Sequence, residues 1–507
     1  MKTAARYLCL ALVLFLFATN VYRALTQSIT IDEASSFNGF YSGGIWQVLT
    51  HYDAGNHVLQ SLLSMTSVSL FGLSEFSVRL PSLLGGLLYL VVAYRFGVWL
   101  FGPGWLAALS IALLGLNPFV LDYLSAARGY GLGLGFFFWA FYHLIRYVAE
   151  EQDPPAEPRG ADRLYRAGIG LGLSVASVPI FLYPALAAAG TVAVLLIADA
   201  RLSGRPEAAA RQFWLVMDRL FGPALVVAFV ILVIPLTRAR TAAFYYGVSS
   251  LRDSVGGLVS LSYFHNQNIS AWGKHIPTFG AWHSALTEVL IPGTLLIAVA
   301  LCALFLTRWI RARTLAAVEK NEKALLLAGA TLAVTVAMAV FTNRAFGMPY
   351  PVGRTGIYWP PLFVLAALGI LEWLRRRGRG FRLLALPWLA FLVVSAGMFA
   401  AGFTTTHYNE WNFDSATKRI ALLIRDRKPS SPSAEVRVGA TWQLEPSLNF
   451  YRRRYGLKWI KPLLRDGADG DFDYYVLLPA DYWLIKTRNL KVLFSDPLSQ
   501  AVVALKP

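Results

Sequence analysis

The chain has 507 residues, of which 56% are hydrophobic and only 15% are charged, and its mean hydropathy is +0.50. A soluble protein carries about 25% charged residues, so this composition excludes a soluble globular protein and indicates an integral membrane protein. The formal net charge is +17, and the two cysteines, Cys9 and Cys302, both lie in apolar segments. Neither a disulfide framework nor a thiolate metal site is therefore expected.

The first 26 residues place Lys2 and Arg6 before an apolar stretch, which is the layout of a signal peptide. The tripeptide Ala24-Leu25-Thr26, however, matches a small-x-small cleavage site poorly. We therefore expect an uncleaved first span, with residue 27 emerging on the outer side of the membrane.

The hydrophobic segments predict eleven membrane spans. The run 167–199 is too long for one span and is interrupted by Pro179 and Pro184, so we expect two short spans that meet near Tyr183. The other nine lie near 7–25, 80–98, 104–121, 129–148, 219–237, 288–307, 324–342, 356–374 and 383–403.

The segment 58–72 decides the topology, because it is short for a span and carries Gln60 and several serines. If it does not cross the membrane, every strongly basic connection falls on one side, as the preference of Lys and Arg for cytoplasmic loops requires. We therefore predict an amphipathic helix along the outer interface, with the N-terminus inside and the C-terminus outside. In a bacterium this describes a multi-pass protein of the inner (plasma) membrane.

Residues 404–507 form a more polar tail after the last predicted span, which divides the chain into a membrane domain, 1–403, and a periplasmic domain, 404–507. Its pattern predicts a small α/β domain, and Asp414 is predicted to be a helix N-cap. The expected elements are helices at 414–426 and 445–454 and strands at 435–440, 473–478, 490–495 and 500–504.

The first outer loop, 27–79, carries two adjacent carboxylates in Thr30-Ile31-Asp32-Glu33. Carboxylates beside a membrane are costly to desolvate and are often functional, although a solvated pair that caps the next helix is an equal alternative from position alone. The predicted topology brings other polar residues to the same side, namely Asn56, His57, Arg79, Arg128, Tyr130, His265, Lys274, Arg344 and Arg354.

These outer cations suit a ligand with an anionic head and a lipid tail, because arginine binds phosphate through bidentate hydrogen bonds. A carboxylate base beside a bound phosphate leaving group is the minimum for substitution at a sugar carbon. Arg79, Arg128 and Arg354 could instead be ordinary interfacial anchors, and His57 an ordinary helix-start residue.

Motifs of other chemistries are missing from the sequence: there is no P-loop, GxSxG, CxxC or HExxH. The glycines of Gly131-x-Gly133-x-Gly135 lie inside a predicted span and indicate close helix packing. Because the chemistry is placed outside, a lipid-linked donor is favoured over a cytoplasmic sugar nucleotide, and no nucleic-acid partner is expected. No internal repeat is visible, which disfavours a transporter.

Over residues 28–150 the chain resembles the GT-C superfamily of bacterial membrane glycosyltransferases, in glycosyltransferase family 39. These are relatives of the protein O-mannosyltransferases and of the lipid A aminoarabinose transferase. The resemblance rests on Ile31-Asp32-Glu33-Ala34, Gly55-Asn56-His57-Val58-Leu59, Phe71-Gly72-x-x-Glu75-x-x-x-Arg79-Leu80-Pro81-Ser82, Asn117-Pro118-Phe119 and Ala127-Arg128-Gly129-Tyr130, with Arg354 later, ahead of Trp359-Pro360-Pro361.

The resemblance implies an all-α GT-C membrane domain and inverting transfer of a sugar from a polyprenyl phosphate to a periplasmic glycan, lipid or protein. It implies that Asp32 is the base and that Glu33 positions the acceptor or a metal. It also implies a substrate-binding set made of Asn56, His57, Arg79, Arg128, Tyr130 and Arg354.

The chain departs from the family in 178–183, where a His-Tyr pair is often found and this sequence has Tyr183 without histidine. A divalent metal is therefore optional. The alternative functions are a lipid or lipid-linked sugar transporter, or flippase, without transfer chemistry, and a membrane scaffold that acts through its tail.

Overall fold

The computed structural model describes residues 2–51, 53–150, 161–238, 246–264, 277–427 and 435–506. Long helices fill the chain up to Ala401, and a small four-stranded sheet with short helices follows. The predicted fold class, an all-α polytopic membrane protein followed by a small α/β domain, is confirmed.

Nine helices in the described part of the chain are long and apolar enough to cross a membrane. They are Ala4–Thr26, Glu75–Phe101, Tyr130–Glu150, Pro179–Leu202, Pro206–Leu236, Gly280–Ala312, Lys320–Phe346, Gly353–Arg376 and Arg379–Ala401. Shorter helices are Ile31–Ser36, Ile45–Thr50, Val58–Phe71, Trp105–Gly115, Pro118–Tyr123, Ala161–Ser177 and Leu251–Val259.

Two of the eleven predicted spans are not among these nine helices. The run 104–121 is divided: the helix Trp105–Gly115 ends before Asn117, and Asn117 caps the next helix, Pro118–Tyr123, by accepting hydrogen bonds from the backbone N–H groups of Phe119 and Val120. Proline at the first position of a helix is favoured there, since its nitrogen has no hydrogen to leave unpaired. The helix Ala161–Ser177 likewise stops before Pro179 and is 17 residues long.

The helix Val58–Phe71 has its polar side turned into the protein. Gln60 and Ser64 are buried: Gln60 accepts a hydrogen bond from Ser82, and Ser64 donates one to the Val78 carbonyl. Leu70 and Phe71 are 71% and 66% exposed. The predicted amphipathic helix is thus present, and its apolar side faces outward, as contact with lipid would require.

Helices Glu75–Phe101 and Tyr130–Glu150 pack closely through glycine. A Cβ atom added at Gly135 would lie 2.3 Å from the carbonyl oxygen of Gly85, so no other residue fits without moving the helices apart. Small residues at such crossings allow backbones to approach each other in membranes. The prediction that Gly131-x-Gly133-x-Gly135 serves helix packing is therefore confirmed.

The C-terminal sheet has the order β1 (Val438–Ala440), β2 (Tyr474–Leu477), β4 (Val502–Leu505), β3 (Lys491–Ser495). Strands β1 and β2 are parallel, whereas β4 is antiparallel to both β2 and β3. All four strands lie within or overlap the predicted runs, and the predicted helices appear as Thr417–Arg425 and Glu445–Arg454.

The C-terminal segment packs tightly against the membrane helices. Tyr408 and Trp411 are buried in the core of the membrane domain, whereas the separate core of the small domain starts at Ala416. Further along, Lys418 and Arg454 both form ion pairs with Glu75, which is buried. The predicted domain boundary at residue 404 stays a prediction. Tyr408 and Trp411, which follow that boundary, are part of the core of the membrane helices.

The prediction that Asp414 caps its own helix is wrong. The helix Thr417–Arg425 is preceded by Ala416, which provides no side-chain cap. The Asp414 carboxylate instead accepts a hydrogen bond from the backbone N–H of Ile31, with 2.6 Å between Oδ2 and N. It therefore caps the helix Ile31–Ser36.

Candidate active site

The two adjacent carboxylates lie in the short helix Ile31–Ser36 and face different surroundings. Thr30 and Glu33 form a capping box: the Glu33 N–H donates to Thr30 Oγ1, and the Thr30 N–H donates to Glu33 Oε2. Glu33 is fully buried, whereas the side chain of Asp32 is 22% exposed. The helix-cap alternative therefore applies to Glu33, and Asp32 is the carboxylate that remains accessible.

Glu33 forms a buried, two-pronged ion pair with Arg79, with distances of 2.8 Å from Nε to Oε1 and 2.7 Å from Nη2 to Oε2. Oε1 of Glu33 also accepts from the Ala127 N–H, and Arg79 donates further to the carbonyls of Gln27 and Ser28. Both side chains have 0% exposure. Neither group is open to a metal, an acceptor or a phosphate, so the pair fixes the loop that carries Asp32.

Asp32 is held by two arginines. Arg354 Nη1 lies 2.8 Å from Asp32 Oδ2, and Arg128 Nε lies 3.7 Å from the same oxygen. Burial acts to raise the pKa of Asp32, but the charges of Arg128 and Arg354, with a hydrogen bond from Trp411, outweigh it and hold the pKa below its usual range. The carboxylate is therefore ionised at neutral pH.

Arg128 lies in the turn before helix Tyr130–Glu150, and this turn positions its side chain next to Asp32. Gly129 has φ of +73°, and a Cβ atom there would lie 2.9 Å from the Ser177 carbonyl oxygen, so both conformation and space require glycine. Nη1 of Arg128 donates to Ser36 Oγ at 2.7 Å and to the Gly55 carbonyl at 3.3 Å. Arg128 thus ties the Asp32 helix to the loop that follows it, and its side chain is only 5% exposed.

Three further predicted site residues are buried and do not line the cleft: Asn56, His57 and Tyr130. The Asn56 amide donates to the carbonyls of Val48 and His51, so it shapes the loop. His57 stacks edge-on with Tyr130 at 5.1 Å between ring centroids. Burial and the nearby arginines lower the pKa of His57 well below its usual value, so the ring is neutral. All three are buried and lie outside the lining of the cleft at Asp32.

Asp32 and Arg354 open into a cleft of about 570 Å³. Of the eight predicted site residues, these two line it, and Arg128 adjoins them. Much of the remaining wall comes from the C-terminal segment, which the sequence had not connected with the site. That wall includes Asn409, Glu410, Trp411, Asn412, Trp442, Gln443 and Arg465, together with Tyr246 from the membrane domain.

Glu410 is a second carboxylate in the cleft. Its Oε2 accepts a hydrogen bond of 2.6 Å from the Tyr123 hydroxyl, and its Oε1 lies 3.7 Å from Arg354 Nη1. Burial raises the pKa of Glu410 above its usual value, against the lowering effect of Arg354. Arg354 is therefore shared between two carboxylates contributed by opposite ends of the chain.

An apolar cavity of about 130 Å³ lies within the helices. The stretch 251–264 contributes to both spaces: Leu261 lines the cleft, whereas Leu258 and Tyr263 line the cavity. Trp359 and Pro360, shortly after Arg354, also line the cavity. The same parts of the chain therefore line a cationic, carboxylate-bearing cleft and an apolar space, a combination that suits a molecule with a lipid part and an anionic head.

Within the described ranges, no group of three or more His, Cys, Asp or Glu side chains could hold a metal ion. The oxygens of Glu33 are bound by Arg79 and backbone N–H groups, and Asp32 faces two cations. These residues do not fit the predicted optional divalent metal, which stays a prediction. The predicted outer cations His265 and Lys274 lie outside the described residues, and Arg344 is exposed away from the cleft.

No protein-family model matches the sequence, and no curated protein matches it either. Among solved structures, the chain is similar to ArnT from Cupriavidus metallidurans bound to undecaprenyl phosphate, with 16% identity over 99% of this chain and 98% of that one and a TM-score of 0.43. It is also similar to the Archaeoglobus fulgidus oligosaccharyltransferase in complex with Zn and sulfate, with 12% identity over 98% and 73% and a TM-score of 0.47.

A third similar structure is the arabinosyltransferase EmbB from Mycobacterium smegmatis, with 16% identity over 79% of this chain and 42% of that one and a TM-score of 0.33. Similarity at this level assigns no role to an individual residue of this chain.

Proposed function

We propose that this protein is a membrane glycosyltransferase that moves a sugar from a polyprenyl-phosphate donor to an acceptor hydroxyl with inversion. The observation that carries the proposal is the pairing of Asp32 with Arg354 at 2.8 Å in the cleft. A carboxylate that could act as a base and a cation that could bind a phosphate thus lie together, and the apolar cavity lined by the neighbouring stretches of the chain suits contact with a lipid.

In the proposed reaction Asp32 accepts the proton of the acceptor hydroxyl as the acceptor oxygen attacks the anomeric carbon. The bond between that carbon and the phosphate oxygen breaks at the same time, and the electron pair leaves with polyprenyl phosphate. Attack opposite the leaving group inverts the anomeric centre. Arg354 stabilises the charge that develops on the departing phosphate, which is the usual task of a fixed cation at a leaving group.

The ion pair between Asp32 and Arg354 would make Asp32 a weak base before the donor binds, since a nearby cation stabilises its ionised form. A donor phosphate that engages Arg354 weakens this pair and raises the proton affinity of Asp32. Glu410, 3.7 Å from Arg354, keeps the guanidinium at the cleft during the exchange. Arg128 is nearly enclosed and bound to the Asp32 helix, so it acts on Asp32 rather than on the phosphate.

The topology predicted from the sequence agrees with this proposal, because with an uncleaved first span Asp32 would face the periplasm of a bacterium, where lipid-linked sugars would serve as donors. The acceptor is a periplasmic glycan, lipid or protein. The sequence resemblance to the GT-C glycosyltransferases points to the same chemistry.

The test is transfer by the purified full-length chain in nanodiscs. A panel of radiolabelled polyprenyl-phosphate sugars is incubated with the protein and an outer-envelope extract, and the lipid and acceptor fractions are separated. Release of polyprenyl phosphate together with a labelled acceptor supports the proposal. Asp32→Asn is the inactive control, and Asp466→Asn, an exposed aspartate of the C-terminal domain, is the matched active control. If no donor is cleaved, the transporter and scaffold alternatives are favoured.

A further inference from the structure

The C-terminal domain places an aromatic side chain and a cation together at the cleft. The side chain of Trp442 is 49% exposed although it lines the cleft, and the Arg465 guanidinium lies over its ring at 5.2 Å from the centroid. A half-exposed indole with one free face is a surface on which the apolar C–H face of a pyranose can pack. A guanidinium beside it can pair with an anionic substituent through two hydrogen bonds.

Amide groups surround this surface. Gln443, Asn409 and Asn412 line the same cleft, and they provide donors and acceptors of the kind that pair with sugar hydroxyls.

An exposed tryptophan can also be a simple membrane anchor. Trp483, in the same domain, is 52% exposed and does not line the cleft, so it provides an internal comparison. Trp442 differs from Trp483 in two ways: it lines the same cleft as Asp32, and the Arg465 guanidinium lies over its ring. These features are specific to the cleft and are not needed for anchoring.

The surface formed by Trp442, Gln443 and Arg465 lies on a different part of the chain from the residues expected to bind the donor. The apolar cavity is lined by membrane helices and by the stretch 251–264, whereas Trp442, Gln443 and Arg465 belong to the C-terminal domain. Arg465 is close enough to Asp32 for its charge to act on that carboxylate. A donor that enters from the lipid side would thus leave the C-terminal wall free for the molecule that gives its proton to Asp32.

We propose that Trp442, Gln443 and Arg465 form an acceptor subsite for a saccharide that carries an anionic group. The sugar ring packs on Trp442, the anion pairs with Arg465, and the amide group of Gln443 forms a hydrogen bond with a ring hydroxyl. Saccharide binding is independent of the transfer reaction, whereas the word acceptor rests on the proposed function.

Direct binding tests the saccharide part. Saturation-transfer NMR is recorded on the full-length chain in nanodiscs with glucose 6-phosphate and glucose as probes, and inorganic phosphate is added as a competitor of glucose 6-phosphate. We expect glucose 6-phosphate to bind better than glucose, Trp442→Ala to weaken its binding at least about fivefold, and Arg465→Ala to remove its advantage over glucose. Trp483→Ala should bind like the wild type. Equal signals from Trp442→Ala and the wild type, or half-displacement of glucose 6-phosphate by an equal concentration of inorganic phosphate, would overturn the subsite.

Transfer tests the acceptor part. With envelope extract, Trp442→Ala should raise the KM for the extract while leaving the affinity for undecaprenyl phosphate and for the glycosylated donor unchanged. If Trp442→Ala weakens binding of the glycosylated donor but not of undecaprenyl phosphate, the subsite holds the donor sugar and the acceptor assignment is wrong. If the wild type cleaves no donor, the proposed function fails, and the NMR result still decides the saccharide site. Trp442→Phe, which keeps a ring, provides a variant of milder structural effect.

Discussion

The Asp414 carboxylate accepts a hydrogen bond of 2.6 Å from the backbone N–H of Ile31, 383 residues earlier in the chain. Ile31 is the first residue of the helix that carries Asp32, and the first N–H groups of a helix have no partner within it. The C-terminal segment therefore completes the start of this helix. The direction in which Asp32 points depends on a residue that takes no part in the chemistry.

Asp414→Ala should slow transfer and lower Tm, because loss of a helix cap costs about 1 kcal/mol and releases the start of the Asp32 helix. Asp414→Asn, which keeps an acceptor oxygen, should behave more like the wild type. The measurement is the transfer rate at saturating donor alongside thermal unfolding. Asp496→Ala, which removes a buried carboxylate that accepts from the Ser499 N–H in a turn of the same domain and pairs with Arg419, is the control for stability. Equal loss of transfer in both variants would show that only stability is involved.

Protein stability should fall with rising pH because of Asp414. Burial raises the pKa of Asp414 to about 8, so the folded protein holds this proton more tightly than the unfolded chain. The resulting stabilisation is fully present below the ordinary aspartate pKa of about 4 and is lost as pH rises through 8. Tm measured from pH 5 to pH 9 should therefore decline, and the decline should be smaller in Asp414→Asn. Identical profiles would contradict the assignment.

Asp32 and Glu33 should give opposite phenotypes although they are neighbours. Asp32→Asn should abolish transfer while leaving the affinity for undecaprenyl phosphate and the Tm nearly intact. Glu33→Gln should instead destabilise the fold by about 3–5 kcal/mol, because Arg79 would be left buried without its partner charge. Adding Arg79→Gln should cost less than the sum of the single changes. Wild-type turnover by Asp32→Asn would remove Asp32 as the base.

Arg354→Gln should weaken binding of undecaprenyl phosphate and change the pH profile of transfer. Removal of a positive charge raises the pKa of Asp32, so the acid limb of kcat/KM should move to higher pH. In the wild type, the acid limb of kcat should lie at higher pH than that of kcat/KM, because the donor phosphate draws Arg354 from Asp32. Arg344→Gln, which changes an exposed arginine outside the cleft, is the control. Unchanged donor affinity would remove Arg354 from the site.

Glu410→Gln should lower kcat more than it changes donor affinity. The amide keeps an acceptor for the Tyr123 hydroxyl but removes the charge 3.7 Å from Arg354, so Arg354 should pair more fully with Asp32. Tyr123→Phe, which leaves that charge in place, should have the smaller effect. Single-turnover kinetics with saturating donor separates the two steps, and a pure loss of donor affinity in Glu410→Gln would argue against this role.

Sequence reasoning identified the carboxylate pair but could not separate its members by position alone. One readable signal was present: Thr30 followed by Glu33 is a capping-box pattern, and it assigns Glu33 to the helix start. The family resemblance assigned Arg79 to the substrate-binding set, with an interfacial anchor as the alternative. A fully buried arginine needs a partner of opposite charge, and that partner was Glu33.

Asp32 and Arg354 were both predicted for the site, and the structure brings them together across 322 residues. Glu410, Trp442 and Arg465 were missed because no spacing rule relates a polar tail to a loop near the N-terminus. Tail residues of this kind are usually solvated. The cluster Asn409-Glu410-Trp411-Asn412 just after the last span was the available signal, since it is expected at the same membrane boundary as Asp32.

The long sequence separation between Asp32 and its partners has a consequence for biosynthesis. At roughly 5–20 residues per second, synthesis of the 383 residues from Ile31 to Asp414 takes about 20–80 s. For much of that interval the nascent chain carries Asp32 without Arg354, and throughout it Asp32 is without Glu410 and the Asp414 cap. Under the proposed function, a chain that is interrupted after its last membrane helix would therefore be inserted in the membrane yet inactive.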